Sequence, residues 1–162
     1  MKKSINAWTV DKKEDFSQMF KNLSNCGFSA VELNIDREDT SAHSLTMQTA
    51  QAELADIKKE AAAFGLEIAG VSTSLYGGLI GSGIKEEREE AKGILRKQLM
   101  SASALGAECI LVVPGGDIAG GADIADAYRN SYDTLFEMKR EIEDSKIYVC
   151  LENCLLYTSR CV

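Results

Sequence analysis

The sequence predicts an α/β fold: an incomplete (β/α)8 barrel, five parallel strands in the order 1-2-3-4-5 with four intervening helices. Three observations predict it. Short runs rich in Ile and Val alternate with longer stretches whose apolar residues recur every three or four positions, the alternation that specifies a parallel sheet. The unit strand, loop, helix, glycine recurs about every 40 residues, with Gly27, Gly65 and Gly106 placed as left-handed helix caps just before a strand. Finally, right-handed crossovers add successive strands in one direction. A doubly wound sheet also accommodates five strands. It would advertise a glycine-rich ligand loop after the first strand, where this chain has Thr9-Val10-Asp11.

The elements follow in order. Ser4 to Trp8 reads as a short apolar strand. Asp11 is an N-cap candidate for a helix with Phe16, Met19, Phe20 and Leu23 on one face, ended by Gly27. Phe28 to Leu33 is the second strand, closing near Glu32 and Asn34. After a polar connection from Asp36 to His43, a long helix sets Met47, Ala50, Leu54, Ile57, Ala61 and Phe64 on its apolar face. Leu66 to Val71 is the third strand. The following helix opens on the acids of Lys85-Glu86-Glu87-Arg88-Glu89-Glu90, which suit the positive end of its dipole, and buries Ala91, Ile94, Leu95, Leu99 and Ala102. Glu108 to Val113 is the fourth strand. Ala125, Tyr128, Tyr132, Leu135 and Ile142 mark one fourth helix, and Lys146 to Asn153 is the fifth strand.

A length of 162 residues suits one domain, and the net charge of −7 with no basic stripe argues against a nucleic-acid partner. No span approaches transmembrane length and no signal peptide is visible, so a cytoplasmic protein without a membrane partner is expected. The five cysteines form no C-x-x-C pair and lie in or beside apolar segments, so reduced and mostly buried thiols are expected. His43 is the single histidine, which excludes a His-rich metal site; it reads as a surface or helix-start residue.

Chemistry points to the strand ends, where ligands bind in parallel α/β folds. Glu152 ends an apolar run, and a carboxylate there asks for a cation, a donor or water. Glu32 and Ser72 end the second and third strands and share that rim. Trp8, at the mouth end of the first, either joins the core or walls a sugar-sized pocket. The stretch from Gly77 to Lys85 is not a phosphate loop, because Ile84 and Lys85 stand where Lys and Ser or Thr are needed; it reads as a flexible loop over the sheet edge, as do Pro114-Gly115-Gly116 and Gly120-Gly121.

Five stretches, in order, resemble the sugar phosphate isomerase/epimerase family, the xylose-isomerase-like TIM-barrel group that includes tagatose and psicose 3-epimerases. They are Phe28 to Leu33, Phe64 to Ser72, Arg88 in its charged helix start, Ala104 to Gly115, and Val149 to Asn153. The resemblance implies a divalent metal (Mn, Co, Mg or Zn) held by Glu, Asp, His and Glu at the ends of strands five to eight. Glu152 matches the first of these ligands and one of the two carboxylates that exchange a proton through a cis-enediolate. It further implies a small sugar or sugar phosphate as partner, with Trp8, Glu32 and Ser72 substrate-facing, and a possible homo-oligomer. An endonuclease-IV-like enzyme would want more histidines and a basic groove. A non-catalytic α/β binding domain would want an open, finished sheet.

A barrel closes with about eight strands, so residues 1–153 are expected to be the N-terminal part of one barrel domain. The tail 154–162 is expected to be non-native, since Cys154 to Ser159 resembles the translation of a sequencing adapter. The fragment itself is then expected to be inactive.

Overall fold

The computed structural model describes residues 2–116 and 121–152; Asn153, Cys154, Cys161 and the rest of the tail lie outside the described residues. Five parallel strands form one sheet in the order β1 (Ser4–Asn6), β2 (Ala30–Ile35), β3 (Glu67–Thr73), β4 (Cys109–Val112), β5 (Tyr148–Leu151), as the alternation predicts. Between them run α1 (Phe16–Asn25), α2 (Gln51–Ala63), α3 (Lys85–Leu105), and the pair α4 (Ile124–Glu137) and α5 (Lys139–Ser145). Gly27, Gly65 and Gly106 take φ of 78°, 72° and 76°, the left-handed caps expected of them. The last crossover has no glycine there, and Lys146 takes φ 61° in its place.

Several boundaries differ from the sequence reading. Asp15, not Asp11, caps the first helix, accepting from the Gln18 amide at 2.9 Å, while Asp11 closes a turn onto Lys13. The second helix starts only at Gln51: Thr46 and Thr49 hydrogen-bond each other's segment into a turn, and Met47 stays exposed. Leu45 takes its place in the core, fully buried and bridged to Ile35. Because the opposite side of Ile35 pairs with Thr73, Leu45 fills the sheet position above the short β1. The expected fourth helix is broken at Met138, which is buried and caps α4 while α5 starts beside it.

The core lies between the sheet and its helices. Val31, Leu33, Ile35, Val71, Ile110 and Val112 project from one face of the sheet and are wholly buried. They meet Met19 and Phe20 of α1, Leu54 and Ala61 of α2, and Leu95, Leu99 and Ala102 of α3. Gln98 of α3 ties helix to sheet from within, donating to the carbonyls of Val71 (2.7 Å) and Leu111 (2.8 Å) and accepting from the Tyr76 hydroxyl (2.7 Å). The stretch from Gly77 to Lys85 is no loose flap. Ile80 is buried in a 3-10 turn, and the Gly81 amide donates to the Gly115 carbonyl at 2.7 Å, so the two glycine-rich loops are seated on each other. A Cβ at Gly81 would sit 2.6 Å from the Gly115 oxygen and 2.7 Å from the Ala127 oxygen, which is why glycine stands there.

Candidate functional site

The opposite face of the sheet carries the polar side chains. Alternation puts Asn6, Glu32, Gly70, Cys109 and Tyr148 in one row across all five strands, since Asn6 pairs with Glu32, Glu32 with Gly70, Gly70 with Cys109 and Cys109 with Tyr148. The row is possible at β3 because an irregularity between Val31 and Glu32 resets the register there. A Cβ on Gly70 would lie 3.1 Å from the Cys109 sulfur and 3.7 Å from the Glu32 Cγ, so these three share the face and glycine leaves room for its neighbours. One row toward the strands' C-terminal ends, Asn34 pairs with Ser72 and Leu111 with Cys150. Glu152 has the same parity as Cys150 and leaves β5 with its amide donating to the Val112 carbonyl at 3.0 Å.

The expected rim of Glu32, Ser72 and Glu152 thus needs adjustment. β2 runs on through Asn34 to Ile35 and β3 through Ser72 to Thr73, so Glu32 lies mid-strand, a row below the edge, and Ser72 is the penultimate residue of its strand. Tertiary pairing with Leu45 and with β3 extends β2 past the point where its apolar run looked finished. Glu32 and Glu152 are nonetheless brought within electrostatic reach. Burial pushes the Glu32 carboxyl above the usual carboxylate range; a hydrogen bond with Asn6 partly offsets this, and the Glu152 charge adds to the rise. Glu32 is thus half-buried among neutral groups, and Glu152 stands at the margin of the same face. Ser72 is fully buried, and neither its hydroxyl nor the Asn34 amide finds a hydrogen-bond partner among the described residues. Cys109 is half-buried, its thiol pushed up first by burial and then by Cys150.

Sequence reasoning missed Asp36. It is 2% exposed, and its carboxylate accepts from the Trp8 indole N–H at 3.2 and 3.1 Å, from Ser44 Oγ at 2.8 Å and from Ser74 Oγ at 3.1 Å. A buried acid beside a lone Trp was the available signal, hidden because Asp36 reads from sequence as the first residue of a polar loop. His43 is also placed differently from expectation. It is buried, with Nδ1 2.7 Å from the Glu14 carbonyl and Nε2 3.2 Å from that of Ala7, so the ring is wedged between two backbone carbonyls and braces the loop. The expectation of mostly buried thiols fails for Cys26, at the C-terminal cap of α1, and for Cys150, on the edge strand β5, both exposed and free. Among the described residues no group of three His, Cys, Asp or Glu converges to hold a metal, and no helix is long and apolar enough to cross a membrane.

Solved structures of the same architecture are numerous. A D-psicose 3-epimerase crystallised in the presence of D-fructose matches 93% of the chain with TM-score 0.71 at 18% identity, and the chain covers 52% of it. A D-psicose 3-epimerase with D-tagatose from Clostridium cellulolyticum H10 matches 93% with TM-score 0.72 at 16% identity, again with 52% of its length covered. An L-ribulose 3-epimerase matches 91% with TM-score 0.69 at 18% identity, 48% of it covered. The chain thus spans about half the length of these structures. No curated protein matches the sequence. The sequence model of one family matches residues 20–160, and with five parallel strands in sequential order behind it, the chain belongs to the xylose isomerase-like TIM barrel family.

Proposed function

We propose that this chain is the strand-one-to-strand-five part of a ketose or ketose-phosphate epimerase or isomerase, and that Glu152 is one of its proton-transferring carboxylates. The observation that carries the reading is the placement of Glu152, leaving β5 at the C-terminal edge of the sheet with its amide on the Val112 carbonyl at 3.0 Å, in a family whose solved neighbours include 3-epimerases of psicose and ribulose. Epimerisation beside a carbonyl removes a hydrogen from the carbon through a carboxylate on one face. A second carboxylate returns a proton from the other face of the cis-enediolate. Such a step needs a base within hydrogen-bond reach and donors that hold the developing oxygen charge. Trp8, Glu32 and Ser72 face the sugar in this reading. Glu32, half-buried on the sheet face, hydrogen-bonds a sugar hydroxyl in this reading.

A divalent cation is part of the expected chemistry, but the described residues do not supply its site: Glu152 is one carboxylate, with no second and third ligand converging on it. The reading therefore makes two separable statements. The 162-residue chain alone turns over no ketose with any of Mn, Co, Mg or Zn added; epimerised product, detected by NMR after incubation with D-fructose or D-tagatose, would refute this. Sequencing of the gene past the codon for Asn153 tests the other statement. Three further β/α units ending in Asp, His and Glu are expected, and an early stop codon would favour a non-catalytic binding domain.

A further inference from the structure

A carboxylate is almost never wholly buried unless its oxygens are satisfied. Asp36 meets that condition with donors from three separate segments: the turn after β1 through Trp8, the loop after β2 through Ser44, and the loop after β3 through Ser74. The Trp8 segment is itself braced. Its amide donates to Asn6 Oδ1 at 2.9 Å, the Ala7 carbonyl faces His43, and the Ala42 amide donates to the Lys12 carbonyl at 2.8 Å. Yet 47% of Trp8 remains exposed. A tryptophan serving the core buries its ring and keeps its N–H within reach of water or a partner. Trp8 does the reverse: its one polar atom is turned onto a buried acid, and what it presents outward is hydrocarbon.

We propose that Asp36 is a positioning residue that holds the Trp8 indole rigid at the β1 and β2 side of the site, as a stacking platform for the apolar C–H face of a sugar ring. The indole face carries partial negative charge and prefers the electropositive C–H groups of such a face. A flexible ring would lose rotamer freedom on each binding event, and the Asp36 anchor removes that loss in advance. The ligand class rests on the ketose reading above; the anchoring of the ring does not.

Trp8 is the only tryptophan, so fluorescence excited at the red edge, beyond the absorption of the tyrosines, reports on it alone. Wild-type chain is expected to show high steady-state anisotropy and a saturable change in emission with D-fructose or D-tagatose, without added metal. In Asp36→Ala, provided the circular dichroism melt remains cooperative, anisotropy falls, acrylamide quenches more readily and the sugar response is lost. Asp36→Asn, which keeps one acceptor oxygen, restores part of both. Ser74→Ala, which leaves the Asp36 to Trp8 contact in place, serves as the control for loop damage and retains the anisotropy. Unchanged anisotropy in Asp36→Ala, or in a Ser44→Ala/Ser74→Ala/Asp36→Asn variant should the alanine fail to fold, overturns the anchoring. Lost anisotropy with no sugar response in the wild type overturns the platform. A sugar response that survives Glu152→Gln keeps this result apart from the epimerase reading, which requires that acid.

Discussion

The two ends of the sheet are built from the same unit and finished differently. On the β1 to β4 side, each helix buries its bulky apolar stripe: Met19, Phe20 and Leu23 in α1, Leu54 and Ile57 in α2, Ile94, Leu95 and Leu99 in α3. At the β5 end, α4 buries only Ala127, Ser131 and Thr134, the last two through hydroxyls that donate to helix carbonyls and, for Thr134, to the Ile80 carbonyl. Its large residues, Tyr128, Tyr132 and Phe136, recur every four positions along an exposed stripe, and the rings of Tyr132 and Phe136 stack on each other 5.7 Å apart. With Pro114, Leu135, Ile142 and Leu151 they line a cleft of about 540 Å³ beside the edge strand. A helix puts aromatic residues at such spacing when something covers them. The comparison teaches that helical periodicity records the face a helix intends to bury, and that the face α4 buries among the described residues is not the one its aromatics mark.

Substitutions sharpen this contrast. The largest effect is expected at Phe20, fully buried: Phe20→Ala should cost about 3–5 kcal/mol. By contrast Phe136→Ala, at a residue 58% exposed, should stay within about 0.5 kcal/mol. Urea denaturation of the two variants measures both. A loss at Phe136 comparable to that at Phe20 would break the comparison, because it would mean the stripe is already covered. Next comes Gly81→Ala, where the added methyl meets backbone on two sides; a loss of about 1–3 kcal/mol is expected, read as a lowered denaturation midpoint. Gln98→Leu removes the amide that links α3 to the Val71 and Leu111 carbonyls and leaves the Tyr76 hydroxyl without its acceptor. It should cost about 1–3 kcal/mol, read from the same denaturation curves.

The smallest expected effect is a pH dependence at Glu32. Its carboxyl titrates higher folded than unfolded, so between the two values the native state binds more proton and stability falls as pH rises through that window. Glu32→Gln removes this slope, and the variant's stability relative to wild type should be greater at neutral pH than below the unfolded glutamate range. A difference that is flat with pH, measured by urea denaturation at a series of pH values, would mean that the carboxyl is well solvated after all.

Much of the architecture is written locally. Alternating periodicities and the glycines at 27, 65 and 106 suffice for five parallel strands in sequential order, because each is a statement about a single helix face or a single left-handed residue. What failed locally were ends: α2 starts late because Thr46 and Thr49 prefer a turn, and β2 runs long because Leu45 returns to pair with Ile35. Of the site, the residue types were legible and their relation was not. Glu152 and Glu32 are both visible as acids in apolar runs, yet the influence of the Glu152 charge on Glu32 exists only once β3 and β4 are laid between their strands.

Sequence alone determined that this chain makes strands and helices in strict alternation and that Glu152 falls at the end of a strand, since both depend on neighbours a few residues away. Tertiary structure decided that Asp36 and Trp8, 28 residues apart, form one part-buried hydrogen bond, and that burial raises the Glu32 carboxyl. Burial and electrostatic proximity are properties of distance in space, and no local pattern encodes which distant segment will arrive to bury a charge.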